Sequence, residues 1–207
     1  MHDSIYIGLK RVTDVVLSFV ALLCFSPLFL IVLIVDSIGK NKGPVFYKQK
    51  RVGKSGEKFY IYKFRSMVVN AEEKLYSNKK LYAQYVANSF KLPDGEDPRI
   101  TKFGSVLRKS SIDEIPQFIN ILKGEMSIVG PRPVVERELE YYGDRVDEFL
   151  SVKPGAMGYW QAMGRSTIEY PERCDVELYY VQHASLLFDV KIFFKNVISI
   201  FKGTGAY

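Results

Sequence analysis

The sequence contains few of the residues that build disulfide scaffolds or histidine metal sites. Its 207 residues include two cysteines, Cys24 and Cys174, and two isolated histidines, His2 and His183. Two cysteines provide no disulfide framework and do not indicate an oxidising compartment. Isolated histidines predict neither a zinc site nor a histidine-based catalytic triad. Internal repeats and low-complexity tracts are absent as well.

The composition is that of a folded domain with a surplus of basic residues. Hydrophobic residues make up 47% of the chain and charged residues 25%, and 14 Phe and 14 Tyr are present. This content excludes disorder as the main state, and the length suffices for one domain with a buried core. The net charge of +6 would suit nucleic-acid binding. The basic residues, however, cluster beside apolar segments and form no nucleic-acid motif, so we expect no nucleic-acid partner.

One long uncharged segment, Val15–Val35, lies near the N-terminus. Its 21 consecutive residues are enough to cross the hydrocarbon core of a bilayer, which takes about 20. The segment is too long for a signal peptide and lacks a small-residue cleavage site before Asp36. The sequence therefore predicts residence in a phospholipid membrane.

Two features distinguish this segment from a simple membrane span. Ser26-Pro27 lies in its middle, where proline lacks the backbone N–H that a helix requires. Basic residues flank both ends, whereas the two ends of a single span normally differ in positive charge. These basic residues are Lys10, Arg11, Lys40, Lys42, Lys48, Lys50 and Arg51. The residues alone leave open a kinked span, a re-entrant hairpin and a buried helix of a soluble protein.

The last apolar segment, Leu186–Lys202, carries one polar stripe. Lys191, Lys195, Ser199 and Lys202 fall on a single helix face. This pattern is typical of an amphipathic helix that lies in the headgroup plane of a membrane, and equally of a core helix with one solvated edge.

The middle of the chain predicts an α+β fold that is mainly helical with a small β-hairpin. Two alternating segments, Val45–Val52 and Lys58–Met67, flank the turn Gly53–Gly56 and predict the hairpin. We expect a helix over Ala71–Phe90. The other predicted elements are a charged helix over Glu136–Leu150, bent near Gly143, and a glycine-rich binding loop over Lys153–Arg165 that contains the single tryptophan.

An acidic pair, Asp113-Glu114, precedes a short helix that we expect to end at Gly124. A capping box with Ser111 as N-cap would place Pro116 where its missing N–H removes a helical bond. Starting the helix at Asp113 instead places Pro116 at N3, where no bond is lost. Asp113 would then lie at a helix N-terminus, whose field lowers the pKa of a carboxyl group.

Cations near this pair predict a phosphate site. Arg108, Lys109 and Arg132 lie close to the pair in sequence, and arginine binds phosphate in a bidentate manner. A helix N-terminus also attracts phosphate. An acidic pair beside a diphosphate favours Mg²⁺, which binds in proteins through one or two carboxylates.

A series of motifs runs from about Lys10 to the C-terminus. They are KRVTD, the Ser26-Pro27 break, GPVFYKQKRVG, YKFRSM, DPRITKFG, LRKSSIDEIPQFINILKGEMSIVGPRP, PGAMGYWQAMGR and a C-terminal GAY. In this order they resemble the motifs of the bacterial sugar transferases, the monotopic phosphoglycosyl transferases that begin lipid-linked glycan assembly. Glu125 departs from the aspartate that is usual in that family.

The resemblance implies a re-entrant membrane helix over residues 1–40 and a cytoplasmic catalytic domain over residues 41–207, at the cytoplasmic face of the bacterial inner membrane. It implies transfer of a sugar-1-phosphate from a UDP-sugar to polyprenyl (undecaprenyl) phosphate with release of UMP. This reaction is the first membrane step of exopolysaccharide, capsule or O-antigen assembly. Tyr170, Arg173 and the GAY ending are more similar to the branch that transfers glucose- or galactose-1-phosphate, and the N-acetylated or diamino-sugar branch is the alternative.

The resemblance also implies roles for individual residues. Asp113 would be the nucleophile that carries a covalent phosphosugar, and Glu114 would bind Mg²⁺. The residues expected to contact phosphate or donor are Arg108, Arg132, Lys63, Gln161, Arg165, Tyr170 and Arg173.

Two other functional classes fit parts of the sequence. A basic membrane scaffold without enzymatic activity would use the +6 charge to bind anionic lipid, and it would not depend on Asp113. A glycosidase would need two carboxylates on opposite sides of a bond, which adjacent residues do not provide. The sequence leaves the exact sugar and the oligomeric state open, a homodimer included.

Overall fold

The computed structural model describes residues 4–87, 92, 95–164 and 168–202, and it begins with a bent pair of helices, α1 (Ser4–Cys24) and α2 (Ser26–Ser37). The bend of 54° falls at Phe25, beside the predicted break. Pro27 lies in the first turn of α2, where a missing N–H costs no helical bond. No single helix in these ranges is long and apolar enough to cross a membrane, whereas the bent pair meets that requirement when both helices are taken together.

Many large apolar side chains of this bent pair are exposed. Phe19 is 56% exposed and Leu30 is 58% exposed, and several of their neighbours are similar. Exposed apolar surface of this extent marks contact with a membrane or with another protein. The re-entrant path of the pair stays a prediction.

The predicted β-hairpin is confirmed. Strands β1 (Phe46–Val52) and β2 (Lys58–Phe64) pair in an antiparallel manner, with Phe46 opposite Phe64 and Val52 opposite Lys58. The second strand ends at Phe64 rather than Met67, and beyond it Met67 forms an isolated bridge with Ile100. The side chain of Arg65 turns inward and donates to the carbonyl oxygen of Pro44 at 2.7 Å.

The helix predicted over Ala71–Phe90 is wrong as a single element. The chain forms two short helices, α3 (Ala71–Ser77) and α4 (Lys79–Ala87), separated at Asn78. The Asn78 side chain accepts the N–H of Leu81 at 3.1 Å, which caps a new helix instead of continuing the old one. Residues 88–90 lie outside the described ranges.

Helix α5 (Lys102–Lys109) begins at a side-chain cap. The hydroxyl of Thr101 accepts the N–H of Gly104 at 2.8 Å, which satisfies one of the donors that a helix N-terminus leaves unpaired.

Removing this cap is expected to lower stability modestly. The Thr101→Ala variant should lose about 1 kcal/mol of unfolding free energy, because the N–H of Gly104 loses its partner. Thermal unfolding in detergent measures the change, with the exposed Lys102→Ala as control. An unchanged melting temperature would contradict the assigned role of the cap.

A 3₁₀ turn over Ile112–Glu114 leads into α6 (Gln117–Lys123), which ends at Gly124 as predicted. Gly124 has a φ of 85°, a left-handed conformation that glycine adopts without steric cost. Strand β3 (Ser127–Val129) follows directly.

The charged segment after β3 is interrupted at Gly143, as predicted. It forms 3₁₀ structure over Glu136–Arg145 and then a short helix, α7 (Val146–Phe149). Gly143 has non-helical angles and kinks the first part from within.

The binding loop predicted over Lys153–Arg165 is largely regular structure. It contains strand β4 (Gly155–Met157) and helix α8 (Tyr159–Met163), and its Trp160 is only 4% exposed. Strand β4 pairs with β3 in parallel, Ser127 with Gly155 and Val129 with Met157. A Cβ at Gly155 would lie 2.0 Å from the nitrogen of Gly130, so glycine permits this close approach. Three-residue strands carry no readable periodicity, which explains the wrong prediction.

Two further helices complete the described part of the chain, α9 (Glu172–His183) and α10 (Leu186–Lys202). Ile192 of α10 and Tyr180 of α9 join an apolar cluster with residues of the hairpin, α6 and β3. Lys191 and Lys195 of α10 lie on its exposed side, as expected from the stripe. The mainly helical α+β prediction is confirmed, while the interfacial position of α10 stays a prediction.

Polar contacts hold α1 against these later elements. Lys10 forms an ion pair with Asp189, with 2.6 Å between Nζ and Oδ2. Arg11 donates to two carbonyl groups in the last turn of α6, at 2.6 and 2.8 Å. Asp14 accepts the N–H of Ile128 at 2.9 Å. The charged residues of the KRVTD motif therefore attach the first helix to the rest of the chain.

The second helix is attached by a buried ion pair and by packing. Asp36 lies 2.8 Å from Arg65, and the two side chains are 2% and 7% exposed. Val32 of α2 is fully buried and packs in a cluster that includes Phe64 and Leu107. Helix α2 is thus part of the hydrophobic core.

Candidate active site

A shallow open cleft lies between the hairpin, the Ile112–Glu114 turn and β4. The polar side chains that line it are those of Arg51, Lys63, Glu114, Gln117, Arg132 and Gln161. Three cations therefore line the cleft beside one carboxylate among the described lining residues. Such a surplus of positive charge favours an anionic ligand.

Strand alternation aims the two hairpin cations into this cleft. Lys63 and Arg51 lie on neighbouring strands and share the face of Ile61, which is buried. Lys63 contacts Glu114, with 2.6 Å between Nζ and Oε1. Burial and the nearby charge of Arg132 lower the pKa of Arg51, as expected where like charges are crowded together. Arg51 was not predicted, although its shared face with Lys63 could be read from the alternation.

Asp113 lies beside Glu114 but is buried, with an exposure of 9%. Burial raises the pKa of its carboxyl to about 6, while Lys63 opposes the shift, Glu114 adds to it and Arg108 opposes it. The prediction of a lowered pKa is therefore wrong. Loss of solvation outweighs the nearby cations.

Both predicted capping arrangements for the helix after Asp113 are wrong as well. Helix α6 begins at Gln117 with Pro116 as its N-cap, so Asp113 lies in the 3₁₀ turn that precedes it. Ser111 has a φ of 56° and its side chain makes no cap hydrogen bond. The left-handed Ser111 separates α5 from the turn and sends Asp113 inward instead of to a helix terminus.

Arg132 reaches the cleft from the turn between β3 and the charged segment. Its guanidinium lies 5.8 Å from the centre of the Trp160 ring. Arg173 covers the same ring at 4.2 Å and the Tyr170 ring at 4.8 Å, distances at which cations and aromatic rings attract. The structure thus joins Arg132 and Arg173 through Trp160, but places Tyr170 and Arg173 behind the residues that line the cleft.

The other predicted site residues differ in their positions. Gln161 lines the cleft, but its side-chain oxygen accepts the N–H of Gly158 and so caps α8. Arg108 lies in the last turn of α5, and its charge acts on Asp113. Arg165 lies outside the described residues.

A buried acid, Glu177 of α9, was missed altogether. It is 0% exposed, and it accepts the backbone N–H of Arg132 at 3.2 Å. Burial raises its pKa to about 7, against the opposing charges of Arg173 and Arg132. No local pattern marks Glu177, because only the packing of α9 brings it to the turn that carries Arg132.

Mg²⁺ fits this site only as a metal shared with a substrate. No group of three or more histidine, cysteine, aspartate or glutamate side chains is arranged for a metal in the described ranges. Mg²⁺ commonly takes one or two carboxylates and completes its shell with water and substrate phosphate oxygens. The adjacent carboxylates of Asp113 and Glu114 meet that requirement.

Comparison with known proteins identifies the family of the chain. The profile described as "Bacterial sugar transferase" matches residues 5–203. The chain belongs to the bacterial sugar transferase family. This confirms the resemblance drawn from the motifs, and the cleft residues from Arg51 to Gln161 all fall within the matched sugar transferase region.

Relatives within the sugar transferase family cover nearly all of the chain. The "Undecaprenyl-phosphate galactose phosphotransferase" of Salmonella typhimurium is 42% identical over 202 residues, which is 96% of this chain and 42% of that protein. The "Exopolysaccharide production protein ExoY" of Rhizobium meliloti is 43% identical over 96% of this chain and 88% of its own length. The "UDP-glucose:undecaprenyl-phosphate glucose-1-phosphate transferase" of Escherichia coli is 38% identical over 96% of this chain and 41% of its own length. The chain thus spans about two fifths of the two phosphotransferases and most of ExoY.

Proposed function

We propose that this chain transfers a sugar-1-phosphate from a UDP-sugar to undecaprenyl phosphate and releases UMP. The observation that carries the proposal is the pair of buried Asp113 and half-buried Glu114, beside a cleft lined by Arg51, Lys63 and Arg132. Relatives named as sugar-phosphate transferases to undecaprenyl phosphate support it. By the resemblance, the product begins an exopolysaccharide or related glycan.

Asp113 is proposed as the nucleophile of two successive displacements. In the first, a carboxylate oxygen of Asp113 attacks the phosphorus that bears the sugar, and the bond from that phosphorus to UMP breaks. In the second, an oxygen of undecaprenyl phosphate attacks the same phosphorus, and the bond to Asp113 breaks. The carboxylate is regenerated and no net proton transfer is needed. A covalent intermediate of this kind divides one difficult exchange into two easier steps.

The cleft cations are proposed to balance the charge on the transferring group. Arg132 and Lys63 line the cleft, and Arg108 acts on Asp113, so positive charge surrounds the attacking carboxylate. In phosphoryl transfer, positioning and electrostatic stabilisation supply most of the catalysis. Arg51 is a further cation for the same task.

Mg²⁺ is proposed as the cofactor, held by Glu114 and shared with the diphosphate. When bound, it would neutralise charge on the phosphate oxygens. Glu114 forms an ion pair with Lys63, and this pair keeps the carboxylate at the edge of the cleft.

The donor is proposed to be UDP-glucose or UDP-galactose. Names of relatives support a hexose without an N-acetyl group, although one relative, 37% identical, is named for N-acetylgalactosamine transfer. The alternative donor is therefore an N-acetylated or diamino UDP-sugar.

The bent helix pair is proposed to enter and leave the bilayer on one side, at the cytoplasmic face of the bacterial inner membrane. The exposed apolar side chains of α1 and α2 support membrane contact. A shallow anchor suits an acceptor whose phosphate lies at headgroup depth. The proposed division of the chain falls at residue 40, with the catalytic part following.

The first displacement is expected to slow in acid. Asp113 attacks as a carboxylate, and its pKa is raised to about 6. Below that pH the ionised fraction falls about tenfold per pH unit. The burst of UMP in the absence of acceptor, measured from pH 5 to pH 8, checks this, and a rate unchanged down to pH 5 would contradict the ionisation assigned to Asp113.

The direct test is UMP release by the purified full chain in detergent. The reaction contains undecaprenyl phosphate, Mg²⁺ and, in turn, UDP-glucose, UDP-galactose, UDP-N-acetylglucosamine and UDP-N-acetylgalactosamine. Release from one donor that requires acceptor for continued turnover supports the proposal and identifies the sugar. If folded protein releases UMP from none of them, the non-enzymatic scaffold becomes the better hypothesis.

A further inference from the structure

The turn that carries Arg132 has few backbone donors with which to fix its position. Its sequence is Gly130-Pro131-Arg132-Pro133, and neither proline has an N–H. The N–H of Gly130 is used by the carbonyl of Met157 at 3.1 Å. The N–H of Arg132 is therefore the last donor of the turn, and it donates to Oε1 of Glu177 at 3.2 Å.

Glu177 is set rigidly behind this turn. It is 0% exposed and lies one helical turn after Arg173, with 3.7 Å between Nε and Oε1. Arg173 is itself buried, and its guanidinium lies over Trp160. A buried charge is costly unless it has a partner, and Arg173 is the charge partner of Glu177.

Trp160 connects this buried pair to the cleft. Arg132 and Arg173 both lie against its ring, at 5.8 and 4.2 Å. The indole N–H of Trp160 donates to the carbonyl of Ile168 at 2.8 Å, which fixes the ring plane. The Arg132 guanidinium thus rests on a fixed ring, while its backbone is held by Glu177.

We propose that Glu177 is a positioning residue for Arg132: by accepting its backbone N–H, it fixes the guanidinium toward the diphosphate of the donor. The inference rests on the proposed function, in which Arg132 binds phosphate. Glu177 does not touch the substrate, and its effect passes through the turn.

Two substitutions of Glu177, one that changes its reach and one that changes its charge, separate this role from a merely structural one. Glu177→Asp keeps the charge beside Arg173 but withdraws the acceptor by one methylene from the N–H of Arg132. Glu177→Gln keeps the reach and removes the charge. Positioning predicts that the Asp variant raises the KM for the UDP-sugar about tenfold, as expected for loss of one hydrogen bond. It predicts that the Gln variant keeps a KM for the UDP-sugar within about twofold of wild type.

Two quantities are measured on the full-length protein in detergent. The first is the KM for the UDP-sugar in UMP release, which a reduced folded fraction does not alter. The second is the dissociation constant for UDP, followed by the fluorescence of Trp160, the single tryptophan of the chain. Asp175→Asn is the matched control, because Asp175 lies exposed on the same helix and pairs with Arg145 at 2.8 Å. It should change neither readout.

The outcomes separate this proposal from the one on which it rests. If wild type neither binds UDP nor releases UMP, the proposed function is overturned and this inference with it. If wild type does both and the Asp variant keeps its KM, the role of Glu177 alone is overturned. If the Gln variant raises the KM as much as the Asp variant does, the positioning role of Glu177 is also overturned. If the Asp variant does not fold, the KM for the UDP-sugar is compared between Glu177→Asn and Glu177→Gln. These two side chains are both uncharged and differ in reach by one methylene.

Discussion

Asp113→Asn is expected to reduce UMP release by about a thousandfold or more, a loss typical of removing a catalytic nucleophile. The amide keeps the shape of the side chain but cannot form the acyl phosphate. With donor and no acceptor, wild type should release one equivalent of UMP and gain the mass of a hexose phosphate, whereas the variant should do neither. Intact-protein mass spectrometry measures the adduct.

The matched control for this experiment is Asp144→Asn, which changes a carboxyl on the exposed surface. It should retain the burst of UMP and the mass increase. If Asp113→Asn also retains both, another residue is the nucleophile. If it loses turnover but still gains the adduct, Asp113 acts only in the second displacement.

The same substitution should stabilise the folded protein at neutral pH. The pKa of Asp113 is about 6 when folded against an ordinary value of 3.8, so ionising it in the folded state costs about 3 kcal/mol relative to the unfolded chain. This cost is present above pH 6 and disappears as the pH falls below it. The melting temperature of Asp113→Asn should therefore exceed that of wild type at pH 7.5, and the difference should shrink by pH 5.

Asp36→Ala is expected to destabilise the protein by about 3 to 5 kcal/mol, the usual effect of breaking a buried ion pair. It would leave the guanidinium of Arg65 buried without its carboxylate. Thermal unfolding in detergent measures the change. The exposed pair Lys58–Glu136 provides the control, because Glu136→Ala should leave the melting temperature unchanged.

A double variant tests the cause of this loss. Asp36→Leu with Arg65→Met removes both charges and fills similar volumes, so it should recover much of the stability lost in Asp36→Ala. If the double variant is as unstable as the single one, losing the hydrogen bonds from Arg65 to the carbonyl groups of Pro44 and Met67 costs as much as the uncompensated charge.

Structural features that depend on residues close together in the sequence could be predicted. Alternation on either side of Gly53–Gly56 predicted the hairpin, and Gly124 marked the end of α6. Ser26-Pro27 marked the break between the first two helices. In each of these cases the decisive interaction lies within a few residues of the signal, so one stretch of chain contains the information.

Features decided by packing could not be predicted in this way. The pKa of Asp113 depends on burial by elements distant in sequence, and the helix start that was expected to lower it lies at Gln117 instead. Trp160 was assigned to a binding loop because glycines surround it, whereas those glycines allow close packing with β3. Glu177 is one of several acids on its helix, and only the fold distinguishes it from Asp175.

The contact of Arg11 with the last turn of α6 has a geometric consequence for catalysis. The opposite end of this helix is Gln117, which lines the cleft. Seven residues of helix span about 10 Å. If α1 enters the bilayer as proposed, this single rigid element sets the height of the cleft above the lipid surface. A lipid-borne phosphate then meets Asp113 at one fixed depth, and a thicker or thinner bilayer would displace the whole protein rather than alter the distance between anchor and cleft.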